Sequence, residues 1–183
     1  MDFVQSIQLQ LSDLERSAEI GYVDSLSNLF IQGLNEMEVT DRPIHCTDAK
    51  RDVLYVKDND AWEKEGSNHD KMSRAVNRLN FSNTKLIGKW VEENPDCKQM
   101  DTPQHQTYMN MLSTMTPDDE EKKRKRVIKN IAKTVFLGRD ELKENKVKLI
   151  GDTYTIGAEG LKVIFIHPSS TGGVLVELAE VND

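Results

Sequence analysis

Five consecutive cations, Lys122, Lys123, Arg124, Lys125 and Arg126, form the densest charge in the sequence. Exposed on a helix, such a run can hold phosphates. Asp118, Asp119, Glu120 and Glu121 precede it directly. At helical spacing an acid pairs with a base one turn later, as Glu121 with Lys125, so much of the positive field is neutralised locally. The run reads first as a solvated helix face and second as a nucleic-acid or anionic-surface patch. No aromatic residue is interleaved with it, so base stacking has no support there.

The soft metal ligands are His45, Cys46, His69, Cys97, His105 and His167, and no two have the short spacing of a structural zinc site. His45 and Cys46 are adjacent, and in an extended segment they point to opposite faces. A cysteine nucleophile would need a histidine delivered from far along the chain, and there is neither a GxSxG turn nor a glycine-rich phosphate loop. Two cysteines without a CxxC argue against a disulfide framework and fit a reducing compartment.

The third signal is apolar. Val4, Ile7, Leu11, Leu14 and Ala18 recur at 3-4-3-4 spacing and then meet Gly21. That is a heptad-like seam, read as a self-associating helix that makes the chain a homo-oligomer. The alternative is an amphipathic helix lying on its own core. Beyond Gly21 the stripe restarts at Tyr22, Leu26, Leu29, Phe30 and Leu34, which predicts a bend near the glycine.

The elements that must position these residues follow from pattern and punctuation. Thr40-Asp41-Arg42-Pro43 ends the first helical segment. Val53–Val56 and Ala61–Lys64 flank turn chemistry and predict a β-hairpin. Apolar spacing predicts helices from Met72 to Leu79 and on to Trp90, then a methionine-rich one between Gln99 and Thr116. Thr116-Pro117-Asp118 reads as a cap with proline at the first helical position, opening a helix that runs to Gly138. Four short β-rich runs, Val147–Ile150, Tyr154–Ile156, Val163–Ile166 and Val174–Leu178, predict an antiparallel meander. The expected class is α+β: an association helix over 1–38, a hairpin plus helical body over 39–138, and a small β segment over 139–183.

Composition bounds the rest. In 183 residues there are 24 Lys+Arg against 31 Asp+Glu, a formal charge of −7, so the molecule as a whole does not project the field that drives nucleic-acid binding. No run reaches the length of a membrane span, and Met1-Asp2-Phe3 does not read as the charged-then-apolar opening expected of a signal peptide. The expectation is an intracellular protein without a membrane partner.

Two resemblances add to this reading. The run RPIHCTDAKRDVLYVKDNDAWEKE, from Arg42 to Glu65, resembles a family of uncharacterised proteins of giant DNA viruses, with similarity reaching from the first helix to about Ala132. It implies a virion or infected-cell setting and viral protein partners, and it assigns no functional residue. The run VKLIGDTYTIGAEGLKVIFIHPSSTGGVLVELAE, Val147 to Glu180, is similar to the closing strands of methylmalonyl-CoA epimerase, a metal-dependent vicinal-oxygen-chelate enzyme. There the resemblance implies a metal-binding carboxylate at Glu177, with a divalent ion such as cobalt as cofactor. The family's other ligands, two histidines and a glutamine, have no match upstream. Two such unlike likenesses suggest a recombined or fused gene, with a junction between about Lys133 and Asn145. The leading expectation is a non-enzymatic, cofactor-free, self-associating structural protein; a nucleic-acid-associated protein and an epimerase-like metalloprotein are the alternatives.

Overall fold

The computed structural model describes residues 3–48, 51–58, 61–136, 148–157, 160–171 and 173–180. The fold is α+β, as the patterning implies. Two compact units emerge, one from Leu34–Lys71 and Ile131–Asp183, the other from Asp2–Gly33 and Met72–Asn130. This grouping puts the hairpin region and the C-terminal strands in the same unit, unlike a division at 38 and 138.

The helical unit begins with α1 (Phe3–Ser6), α2 (Leu11–Ile20) and α3 (Tyr22–Asn35, to Gly33 in this unit). Gly21 closes α2 at φ +84°, a conformation that glycine adopts without strain, and this is the bend that the shifting stripe predicts. A second interruption, at Ile7–Gln10, splits what the seam suggested was one continuous helix. Next come α4 (Asp70–Thr84, from Met72 in this unit), α5 (Leu86–Glu93), a 3-10 turn at Pro95–Lys98, α6 (Pro103–Met115) and α7 (Glu120–Thr134, to Asn130 in this unit). Thr102 caps α6, its Oγ1 accepting from His105 N–H at 3.0 Å.

The start of α7 differs from the sequence expectation. Thr116 does not cap it; its N–H and hydroxyl donate back to Leu112 O and so finish α6. Asp119 sits at φ +55°, which no α-helical residue adopts, and the helix begins one residue later at Glu120.

One buried cluster of this unit comprises Leu14, Trp90, Cys97, Met111 and Met115, with Leu11, Ala18, Leu86, Ile87, Val91 and Tyr108 packed against it. Fully burying a side chain the size of Leu14 contributes about 1.5–3 kcal/mol. Two methionines of the rich segment thus fill core, as unbranched side chains suit irregular gaps, while Met100 and Met109 are exposed.

The other unit contains two three-stranded antiparallel sheets. The first is β1 (Ile44–Asp48), β2 (Val53–Asp58) and β3 (Ala61–Lys64), with Tyr55 opposite Lys64 and Lys57 opposite Trp62. The expected hairpin is β2–β3; β1 is an addition, and its alternation puts Ile44 and Cys46 in the core. The second is β4 (Leu149–Ile156), β5 (Lys162–Ile166) and β6 (Val176–Glu180). Four expected strands are three, because the chain does not turn at Gly151-Asp152. Gly151, at φ +85°, is absorbed as an irregularity within β4, where pairing with β5 skips from Ile150 to Thr155. Val147, Gly138 and most of the expected junction lie outside the described residues. Val39 closes the apolar face of this second sheet, packing with Ile164, Ile166 and Leu178.

Candidate functional site

Each chemical candidate now has a place. Glu177 stands on β6 between Val176 and Leu178, which point into the Val39 cluster, so alternation turns its exposed carboxylate to the opposite face. Its cross-strand neighbour is Phe165, which in turn faces Ile150. A Cβ added at Gly157 would lie 3.7 Å from Glu177 Oε1, so the carboxylate leans over the glycine. Hydrocarbon flanks it, where a divalent ion needs several oxygen or nitrogen donors. Among the described residues no three His, Cys, Asp or Glu side chains converge as a metal group. The described residues around Glu177 do not fit a bound cobalt, and no catalytic step follows from Glu177 alone.

The histidines and cysteines are dispersed. The Cys46 and Cys97 side chains are buried. His105 Nδ1 lies 2.8 Å from Cys97 O, and His167 Nδ1 lies 2.8 Å from Ser169 Oγ. His45 stacks on Trp62, ring centroids 4.8 Å apart. Burial, with the Arg42 guanidinium adding to it, lowers His45 to about 4, so the ring is neutral at pH 7. Adjacent Cys46 points into the core, the opposite-face arrangement expected of an extended segment.

The basic run occupies the first half of α7. Lys125 Nζ pairs with Glu121 Oε1 at 2.7 Å, the pairing the spacing predicts, and Arg124 reaches Glu120 Oε1 at 3.3 Å and Asn77 Oδ1 at 3.2 Å. Lys122 and Arg126 are exposed and Lys123 is half-buried. Close by, burial raises the Tyr22 hydroxyl to about 12, the Glu120 charge adding to the shift.

The seam residues make contacts within their own unit, and some keep part of their surface. Val4 and Leu14 are buried, and Ile7, Leu11 and Ala18 are half-buried. Ile7 and Phe3 cover Gly33, and Phe3 meets Phe30 edge-on at 5.2 Å. A cleft of about 260 Å³ between α2 and α3, lined by Asp13, Arg16, Ser25, Asn28 and Gln32, is below the usual size of a ligand pocket.

A charge feature that escapes a search for contiguous cations lies on α4 and α5. From Met72 to Val91 the chain has Arg74, Arg78, Lys85 and Lys89 and no acid. All four are exposed, and so is Phe81. Spacing counted at helical period would have found it.

Comparison with known proteins yields one short likeness. No family model matches the chain, and no solved structure matches it. Over 40 residues, 22% of this chain, it is 52% identical to the mitochondrial methylmalonyl-CoA epimerase of Bos taurus, 50% to that of Mus musculus and 48% to that of Homo sapiens. A segment of the chain thus resembles that enzyme, in keeping with the likeness of Val147–Glu180. The match spans only 22 to 23% of those enzymes' length. It gives no support to the viral resemblance of Arg42–Glu65. Among the described residues no helix is long and apolar enough to cross a membrane.

Proposed function

We propose that this is a non-enzymatic structural or interaction protein in which the epimerase-like strands serve as a packing element. The observation that supports this most is the closure of the β4–β6 sheet. Its apolar face is filled by Val39, a residue more than 100 positions before the segment with the enzyme likeness, while Glu177, itself exposed, lies on the other face with Phe165 and Ile150 beside it. A sheet covered in this way contributes core, and one exposed carboxylate cannot by itself polarise a substrate oxygen through a metal. The test combines Co²⁺ calorimetry with exchange of the α-proton of methylmalonyl-CoA in deuterated buffer. Neither binding nor exchange is expected with excess metal. Exchange that Glu177→Ala abolishes would overturn the reading in favour of the metalloenzyme.

Self-association through the first helical segment is a separate proposal, resting on the surface that Leu11 and Ala18 retain two turns apart on α2. Light scattering after size exclusion tests it: a mass that is a multiple of 20.9 kDa supports it, and 20.9 kDa at every concentration ends it. The setting in a large DNA virus rests on the Arg42–Glu65 run alone, and expression confined to infected cells would support it.

A further inference from the structure

Arg74, Arg78, Phe81 and Lys85 follow one another at 4-3-4 spacing, so on a helix they form a single row about 16 Å long at 1.5 Å per residue. The row continues past the end of α4, because Lys85 keeps helical backbone angles (φ −61°, ψ −25°) before α5 begins. The opposite side of α4 is the packed one, with Met72, Ala75, Val76, Leu79 and Asn83 all buried. The row therefore faces water. Phe81 is 62% exposed, and Lys85 Nζ stands 4.5 Å from its ring centroid.

An exposed aromatic is ordinary when it stands alone. Here it is the one apolar member of a cationic row, in a stretch whose nearest acids along the chain, Asp70 and Glu92, lie outside it, while Glu120 approaches α4 by way of Arg124, which pairs with it and bonds Asn77. Lys89 extends the row but is held by Glu93 at 3.9 Å. Across the chain the net charge is −7, so this local positive field is the exception. A partner must present negative charge to three cations and a flat π-face to a phenyl ring between them. Unstacked bases on a phosphate backbone present both, whereas in a duplex the π-faces are hidden within the stack.

We propose that the face of α4 and α5 bearing Arg74, Arg78, Phe81 and Lys85 binds single-stranded nucleic acid, with Phe81 as the stacking platform and the cations on the phosphates. This goes beyond the packing role of the C-terminal strands and does not depend on it. The sugar is not specified by this chemistry, so DNA and RNA are both candidates.

The test is fluorescence anisotropy of the full chain with labelled oligo(dT) and oligo(rU), against a duplex of equal length, across a salt series. Binding of single strands that weakens steeply with salt is expected, with the duplex weaker. Phe81→Ala should reduce affinity about fivefold or more while leaving the salt slope unchanged, and Phe81→Trp should retain binding. Arg74→Gln with Arg78→Gln should lower the slope by about 1.4, or roughly 0.7 per lost phosphate contact on a single strand. Because all three positions are exposed, circular dichroism should show the fold unaltered. No single-strand binding at low ionic strength, equal or tighter binding of the duplex, or an unaffected Phe81→Ala protein would each overturn the proposal. So would binding to anionic phosphatidylglycerol vesicles without binding to oligonucleotides. If instead Lys122→Glu with Arg126→Glu abolishes binding and the α4 variants do not, the site is on α7 and the proposal fails.

Discussion

The indole Nε1–H of Trp90 donates to Glu15 Oε1 at 2.8 Å, tying α5 to α2 across 75 residues of sequence. The ring body lies in the cluster around Leu14, and its polar edge reaches the carboxylate at the cluster's margin. This division of an indole into an apolar body and a single donor is typical of buried tryptophan. Glu15→Ala leaves that donor without its charged acceptor and should cost about 1–2 kcal/mol, because hydrogen bonds to charged groups are the stronger class and this one is partly solvated. Glu15→Gln should recover part of the loss. Urea unfolding followed by circular dichroism checks both, and a Glu15→Ala midpoint equal to wild type would deny the bond any weight.

Leu14 separates the interior reading of the N-terminal stripe from the assembly reading. Its side chain is fully buried among Trp90, Cys97, Met111 and Met115, whereas Leu11 keeps part of its surface. Leu14→Ala should therefore destabilise by about 2–4 kcal/mol and Leu11→Ala by clearly less. Because the contacts are within the chain, the losses should be independent of protein concentration. A midpoint that shifts with dilution in the wild type and ceases to do so in Leu14→Ala would assign the stripe to an interface between copies.

Much of the secondary structure was legible because it is local. The β2–β3 hairpin follows from β-branched residues around turn chemistry, the bend at Gly21 from a shift in the apolar stripe, and the Glu121–Lys125 pair from spacing alone. What was not legible depends on distant partners. The heptad-like seam and an interior stripe have the same spacing, and the packing of Trp90 and Met111 beside Leu14 depends on residues far along the chain. Nothing about Val39 in sequence says that it closes a sheet beginning at Leu149. Thr116-Pro117 had the chemistry of a helix start, but the threonine hydroxyl was engaged by the helix before it. The cationic row on α4 was missed for another reason: its charges are dispersed at helical period, and a search for runs sees only α7.

His45 gives the folded state a pH dependence with a defined sign. Its folded value is lowered to about 4, below the ordinary 6.5, so the unfolded chain binds the extra proton between those values. The stability attached to the neutral, Trp62-stacked ring is fully present above about pH 6.5 and is lost as pH falls toward 4. The ceiling is about 3 kcal/mol, at 1.36 kcal/mol per pH unit. Urea midpoints at pH 7.5 and pH 5 should differ for the wild type and converge for His45→Phe, which keeps a ring against the indole. An undiminished pH dependence in His45→Phe would move the effect to other groups.

Gly33 and Ile7 form a pair whose mutational signs can be fixed in advance. Within a helix, replacing glycine by alanine ordinarily stabilises by about 0.5–1 kcal/mol. At Gly33 the new Cβ would lie 2.9 Å from Ile7 Cγ1, closer than carbon atoms tolerate, and a tight 3.2 Å from Phe3 Cζ. Overpacking of this kind costs about 1–3 kcal/mol, so the net effect of Gly33→Ala should be destabilising despite the gain in helix propensity. Ile7→Ala alone should also destabilise, by removing the Cγ1 methylene and Cδ1 methyl that cover the glycine. Combined, the two changes relieve each other: the double variant should be more stable than the sum of the single losses by about 1 kcal/mol or more, a coupling expected only of residues in contact. Thermal melts of the four proteins measure that coupling. Strict additivity would mean that Ile7 does not rest on Gly33 in solution, and with it would go the placement of the segment between α1 and α2.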